Sequence, residues 1–189
     1  GGALHYKNCI DKVHEICPKV GIEFLCSDLS GNVNALEFLL DNSPLTVFAH
    51  NVETVRRLTP RVRDPRATFD QSLLILKKAK DFRPDIITKT SIMLGLGETE
   101  DDLLNAFEEL RVAKVDLLTL GQYLSPGPRY HPVVSFPSPE TFDSLAQIAK
   151  EMGFKAIASG PMVRSSYRAE SLVAAAKGET FDIELKVVA

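Results

Sequence analysis

Short apolar runs alternate with helical repeats along most of this chain. "IEFLCS" (22–27) reads as a strand, and "NALEFLL" (34–40) as a helix entered through the turn "SGN". "PLTVFA" (44–49) is a second strand, and "TFDQSLLILKKAK" (68–80) places Phe69, Leu73, Leu76 and Ala79 on one helical face. A third strand, "DIITKTSIML" (85–94), precedes a helix from Glu100 to about Ala113. "VDLLTLGQYL" (115–124) is a fourth strand, followed by "SPGPRYHPVVSFPSP", too rich in proline for regular structure. A helix over about 140–152 and a last strand, "FKAIAS" (154–159), complete the series. The strands are apolar almost throughout rather than alternating, as in a parallel sheet covered on both faces. Strand and helix in strict succession predict an α/β fold, most simply part of a (β/α) barrel.

Chemistry in such barrels gathers at the C-terminal ends of the strands. The residues there are Asp28, "HNVET" (50–54), "GLGETEDD" (95–102), "GQY" (121–123) and "SGP" (159–161), a concentration of glycine and polar side chains. Composition narrows the field further. The 189 residues suit one ordinary domain, and 44% hydrophobic with 25% charged residues is a globular balance. A net charge of −3 gives no general attraction to nucleic acid or to an anionic membrane. No window approaches 18 uninterrupted apolar residues, so no spanning helix is expected. The opening "GGALHY", without Met or a signal peptide, suggests a processed or truncated start.

Cys9, Cys17 and Cys26 are odd in number and predict free thiols in a reducing compartment. Their C-x7-C-x8-C spacing matches no zinc or iron–sulfur pattern, and Cys26 reads as a small buried hydrophobe. "LGLGETEDDLL" invites comparison with a nucleotide phosphate loop and fails it. The third glycine and the Gly-Lys-Ser/Thr are absent, and Glu98, Glu100, Asp101 and Asp102 would repel a phosphate at that helix start. Thr99 with Asp102 fits an N-cap, while a nucleoside without phosphates remains compatible with the acids.

Lys89 lies within an apolar strand, and three roles suit it: a Schiff-base amine, a partner for a ligand carboxylate, or a structural ion pair with Asp85 or Glu53. His50 reads as a structural histidine. With His5, His14 and His131 scattered, no zinc spacing exists. "GPMVRSSYRAE" (160–170) places two hydroxyls between a guanidinium and a phenol, without a nucleophile elbow around Ser165 or Ser166.

Taken together, "HNVETVRRL", "RDPRATFDQSLLILKKAK", "TKTSIMLGLGET", "VDLLTLGQYL" and "GFKAIASGPMVRSSYRA" resemble lipoyl synthase, a radical S-adenosylmethionine (SAM) family, in that family's order and over nearly the whole chain. The resemblance implies a partial (β/α)6 barrel of the TIM type, incomplete at the N-terminus, over 1–160, with a C-terminal tail at 161–189. It implies SAM and two [4Fe-4S] clusters. One cluster would cleave SAM to a radical that abstracts hydrogen at C6 and C8 of an octanoyl chain, and the other would be consumed as the sulfur source. By the same resemblance the octanoyl group would ride on a lipoyl carrier domain, of a 2-oxoacid dehydrogenase subunit or a glycine cleavage H protein, and a small electron-transfer protein would supply electrons.

Carried across by position, Gly1, Gly2 and Ala3 correspond to the glycine motif for the methionine end of SAM. Asn51, Glu53 and Lys89 fall at its polar contacts. Gly95, Gly97 and Glu98, with Gln122 and Tyr123, would border the adenosine. In the Arg-Ser-Ser-Tyr run the resemblance makes Ser166, with Ser165 as runner-up, an oxygen ligand to the auxiliary cluster, with Arg164 holding the tail. Alkoxide binds iron less favourably than thiolate, which suits an iron that must be released.

Two departures stand out. The family's C-x3-C-x2-C and C-x4-C-x5-C cysteines lie before its "GGA", and Cys9, Cys17 and Cys26 do not reproduce them. The chain therefore reads as the C-terminal two-thirds of such an enzyme, inactive alone. "SPGPRYHPV" also departs from the family form, in which Gln precedes the first Pro. The alternatives are a non-catalytic paralogue that binds lipoyl domains or SAM, and a Lys89 Schiff-base lyase.

Overall fold

The computed structural model describes residues 2–179. Five strands, β1 (Glu23–Leu25), β2 (Val47–Ala49), β3 (Ile87–Leu94), β4 (Leu117–Gln122) and β5 (Ala156–Ser159), form one parallel sheet in sequence order. Each step between neighbours is a helical crossover, as parallel strands require. The crossovers are α2 (Val33–Leu40), then α3 (Thr59–Val62) with α4 (Phe69–Phe82), then α5 (Glu100–Val112) and α6 (Pro139–Glu151). An opening helix, α1 (Ala3–Ile16), and a closing one, α7 (Ala169–Ala176), complete the fold. The α/β class and the partial barrel read from the sequence are what the chain builds.

The two sheet faces bury different residues. Ile92 and Leu94 of β3 and Leu118 and Leu120 of β4 pack with Phe107 of α5 and Phe142 of α6. Phe48 packs with Leu36, Leu39 and Leu40 of α2 and Ile75 of α4. The opposite face carries Val47, Ile87, Leu117, Ala156 and Ala158, closed over by Val163 and by Leu172 of α7. Val163 and α7 are thus seated against the inner side of the sheet, while 180–189 lie outside the described residues.

The helix starts follow their caps. Thr68, Thr99 and Ser138 each accept a backbone N–H, and Thr99 with Asp102 completes a capping box. Much of the acidic "GETEDD" cluster is thereby a helix start. β1 is shorter than the predicted 22–27 strand, its three residues pairing with Val47, Phe48 and Ala49 of β2. Helix α1 escaped the periodicity reading because only Ala3 and Ile10 of its residues are buried, leaving too narrow an apolar stripe.

Candidate functional site

The "HNVET" segment leaves β2 at the C-terminal rim of the sheet and is sewn to β3. His50 N–H donates to the Lys89 carbonyl at 3.0 Å, Glu53 N–H to the Ser91 carbonyl at 3.0 Å, and Met93 N–H to the Glu53 carbonyl at 2.8 Å. Glu53 is held at φ 67°, a left-handed conformation that costs a non-glycine residue about 1 kcal/mol or more. Strain of this kind is retained where it orients a side chain.

Beside that turn lies a cavity of about 220 Å³, walled by Asn51 and Glu53 on one side and by Gly121, Gln122, Arg164 and Ser165 on the other. Five residues singled out in the sequence, from three separate segments, therefore meet: Asn51, Glu53, Gln122, Arg164 and Ser165. Ser91 and Met93 complete the wall and were missed. Their signal was available, since they follow Lys89 at intervals of two along β3 and share its face.

The electrostatics of this cavity are specific. Burial pushes the Glu53 carboxyl above its usual range, against the opposing pull of its hydrogen bond with Asn51 and the more distant charge of Arg63. Among the described residues no cation forms a salt bridge with Glu53, although eleven such pairs occur elsewhere. An unpaired, desolvated carboxylate beside a hydrogen-bonding amide is a receptor for a cationic group.

The glycine turn flanks the rim. Glu98 accepts the N–H groups of Gly95 at 2.6 Å and Leu96 at 2.9 Å, so its carboxylate closes its own loop. Gly95, at φ +96°, is obligatory: a β-carbon there would fall 2.4 Å from the Ser135 carbonyl. Arg57 donates to the Gly97 carbonyl at 2.8 Å and pairs with Asp102. The proline-rich segment after β4 forms no helix or strand, yet it is pinned. Gln122 Nε2 donates to the carbonyls of Leu94, Tyr123 and Ser135, Tyr123 donates to the His131 carbonyl at 2.8 Å, and His131 Nε2 donates to that of Leu96 at 2.9 Å.

Other residues fall outside the cavity. Lys89 is 1% exposed on the inner face, where its ammonium meets both Glu23 oxygens at 2.8 and 2.9 Å. Its partner is Glu23, not Asp85 or Glu53, and Asp85 pairs with Arg83 instead. Gly2 is the N-cap of α1, where an added β-carbon would fall 3.2 Å from the Tyr6 ring, and it does not line the cavity. Gly1 lies outside the described residues. Ser165 is half-buried on the cavity wall, whereas Ser166 is exposed.

His50 is structural, bonded at both ring nitrogens. Cys26 is buried and its thiol is pushed up to about 12, chiefly by desolvation, while Cys9 and Cys17 are exposed. Among the described residues no three His, Cys, Asp or Glu side chains gather into a metal-binding group. The three thiols therefore do not fit an iron–sulfur cluster. The cavity, by contrast, brings together a carboxylate, Glu53, and a guanidinium-bearing residue, Arg164, the two charges that a zwitterionic ligand requires.

The family model for the radical SAM superfamily matches residues 1–110, and the chain belongs to that superfamily. Within it, the chain is similar to proteins named lipoyl synthase. It is 51% identical over 170 residues to that of Marinobacter nauticus, covering 90% of this chain and 49% of the relative. The Thermus thermophilus protein is also 51% identical, over 90% of this chain and 52% of its own length. The chloroplastic lipoyl synthase of Ricinus communis is 49% identical over 91% of this chain and 47% of its own. The chain spans about half the length of these curated relatives.

Proposed function

We propose that this chain is the SAM-receiving part of a lipoyl synthase, which inserts two sulfur atoms at C6 and C8 of an octanoyl group carried on a lipoyl domain. The observation that carries the reading is the unpaired, desolvated Glu53 carboxylate beside Asn51, on a cavity that Arg164 and Ser165 also reach. Glu53 supplies negative charge to the cationic part of the ligand, and Asn51 fixes the carboxylate's orientation. Arg164, which donates to the Val163 carbonyl at 2.6 Å, brings positive charge to the opposite wall. Gly95 and Gly97 keep the neighbouring rim turn tight, with Glu98 locking its backbone.

Bound SAM supplies the means of hydrogen abstraction in this superfamily. The residues here hold it and exclude water around it. Cys9, Cys17 and Cys26 do not gather into a cluster site among the described residues, and no step is assigned to iron. Ser165 and Ser166 are the candidates for the oxygen ligand to an auxiliary cluster. Ser165 lies on the cavity wall, and Ser166 is open to whatever covers the rim. The octanoylated carrier and an electron-donor protein would be the partners. Among the described residues no helix is long and apolar enough to cross a membrane.

The reading predicts that SAM binds this chain in calorimetry, and that Glu53→Gln weakens binding about tenfold, or about 1.4 kcal/mol. Unchanged affinity in the variant would remove Glu53 from the site, and absence of binding to the parent chain would remove the reading. A Schiff-base lyase on Lys89 is disfavoured, because an ammonium gripped by Glu23 is not a free amine.

A further inference from the structure

Behind the Asn51–Glu53 turn runs a chain of hydrogen bonds, buried at His50 and Ser72, that joins segments distant along the chain. His50 Nδ1 lies 2.9 Å from the Cys26 carbonyl, and Nε2 lies 2.9 Å from Ser72 Oγ. Arg63 donates to the same Ser72 Oγ at 2.8 Å and, more weakly, to the Val52 carbonyl at 3.4 Å. The four groups come from four separate segments: the ends of β1 and β2, the segment after α3, and α4.

The direction of every bond follows from chemistry. A carbonyl only accepts, so His50 must carry a proton on Nδ1. Burial and the nearby Arg63 charge favour the neutral ring over the imidazolium, opposing the Cys26 bond and the Asp28 charge. A neutral ring protonated at Nδ1 has its lone pair on Nε2, so Ser72 donates to it. Ser72 Oγ then has lone pairs left for Arg63.

We propose that Arg63, Ser72 and His50 form a one-way relay, guanidinium to hydroxyl to imidazole to Cys26 carbonyl, that positions the Asn51–Glu53 turn. Arg63 and His50 grip the turn from the helix side while β3 grips it from the other, through Val52 N–H donating to Thr90 Oγ1 at 3.1 Å and through the backbone bonds of Glu53 with Ser91 and Met93. The left-handed Glu53 is thereby clamped from two directions. Arg63 is a positioning residue: it does not line the cavity, and acts by fixing the residues that do. The consequence for SAM rests on the function proposed above, whereas the relay itself does not.

The test is nitrogen NMR of the 15N-labelled 189-residue chain, reading the His50 ring and the Asn51 side-chain amide, with SAM calorimetry alongside. The parent should show neutral His50 protonated on Nδ1, the minor form of histidine free in water. Arg63→Gln should shift both the Nε2 and the Asn51 amide resonances and weaken SAM about tenfold. Arg63→Lys, which keeps a charged donor, should restore both resonances toward the parent. A proton on Nε2 in the parent overturns the relay even if Arg63→Gln fails to fold. An Asn51 amide unmoved in a folded Arg63→Gln overturns the positioning role. Spectra as expected with no SAM binding to the parent would support the relay and refute the SAM reading.

Discussion

Lys89 and Glu23 offer the sharpest measurement of whether the barrel interior is built for structure or for chemistry. Glu23→Gln leaves the Lys89 ammonium, 1% exposed, without its counterion, while the glutamate side chain it replaces was 21% exposed. Removing one partner of a buried pair costs roughly 3–5 kcal/mol. Water reaches Glu23, so the lower end applies, about 3 kcal/mol. With a urea m-value of about 2 kcal/mol/M for a chain of this size, the unfolding midpoint falls by about 1.5 M. Lys89→Met removes the buried charge itself and lets Glu23 turn to solvent, so its cost is smaller, about 1 kcal/mol or less. The double variant should then lie close to Lys89→Met, giving a coupling of about 3 kcal/mol in the cycle. A Glu23→Gln midpoint within ~0.3 M of the parent, or strict additivity of the two changes, would refute the ion-pair argument.

The capping box at α5 gives a pH signature. Asp102 is held down to about 2, first by Arg57 and then by Thr99, so its folded value lies below its unfolded one. Its contribution is present above about pH 4 and is lost as pH falls toward 2. The stability difference between the parent and Asp102→Asn should therefore be constant near neutrality and vanish across that window in pH-dependent urea unfolding. Cysteine reactivity is equally readable. Near pH 8 an alkylating reagent should modify Cys9 and Cys17 in the native chain and spare Cys26, whose buried thiol titrates near 12. Mass spectrometry showing three modified thiols before unfolding would contradict that burial.

Much of this fold is legible in the residue pattern itself. Apolar runs marked all five strands, because a strand buried on both faces needs no polar alternation. The period of Phe69, Leu73, Leu76 and Ala79 marked α4, and Thr99 with Asp102 marked the start of α5, since caps and stripes depend only on neighbours in sequence. Cys26 and His50 are buried, as their apolar neighbours in sequence predict. Helix α1 was missed because most of its surface faces outward, and α7 because two buried residues, Leu172 and Ala174, are too few to declare a period.

Partnerships across the chain belong to the tertiary structure alone. Lys89 chooses Glu23, 66 residues away, because the parallel register sets Glu23 beside Val47 and Ala49 beside Lys89, bringing both charges to one face. The proline-rich segment looked structureless, and becomes fixed only when Gln122, Tyr123 and His131 tie it to the glycine turn. Ser165 rather than Ser166 reaches the cavity because the backbone after Val163, which is buried against the sheet, turns that way. Residue type and spacing determined which segments would be helix, strand or rim. Which rim residues meet, and which charges remain unpaired, was decided by strand register and by the loops that close over it.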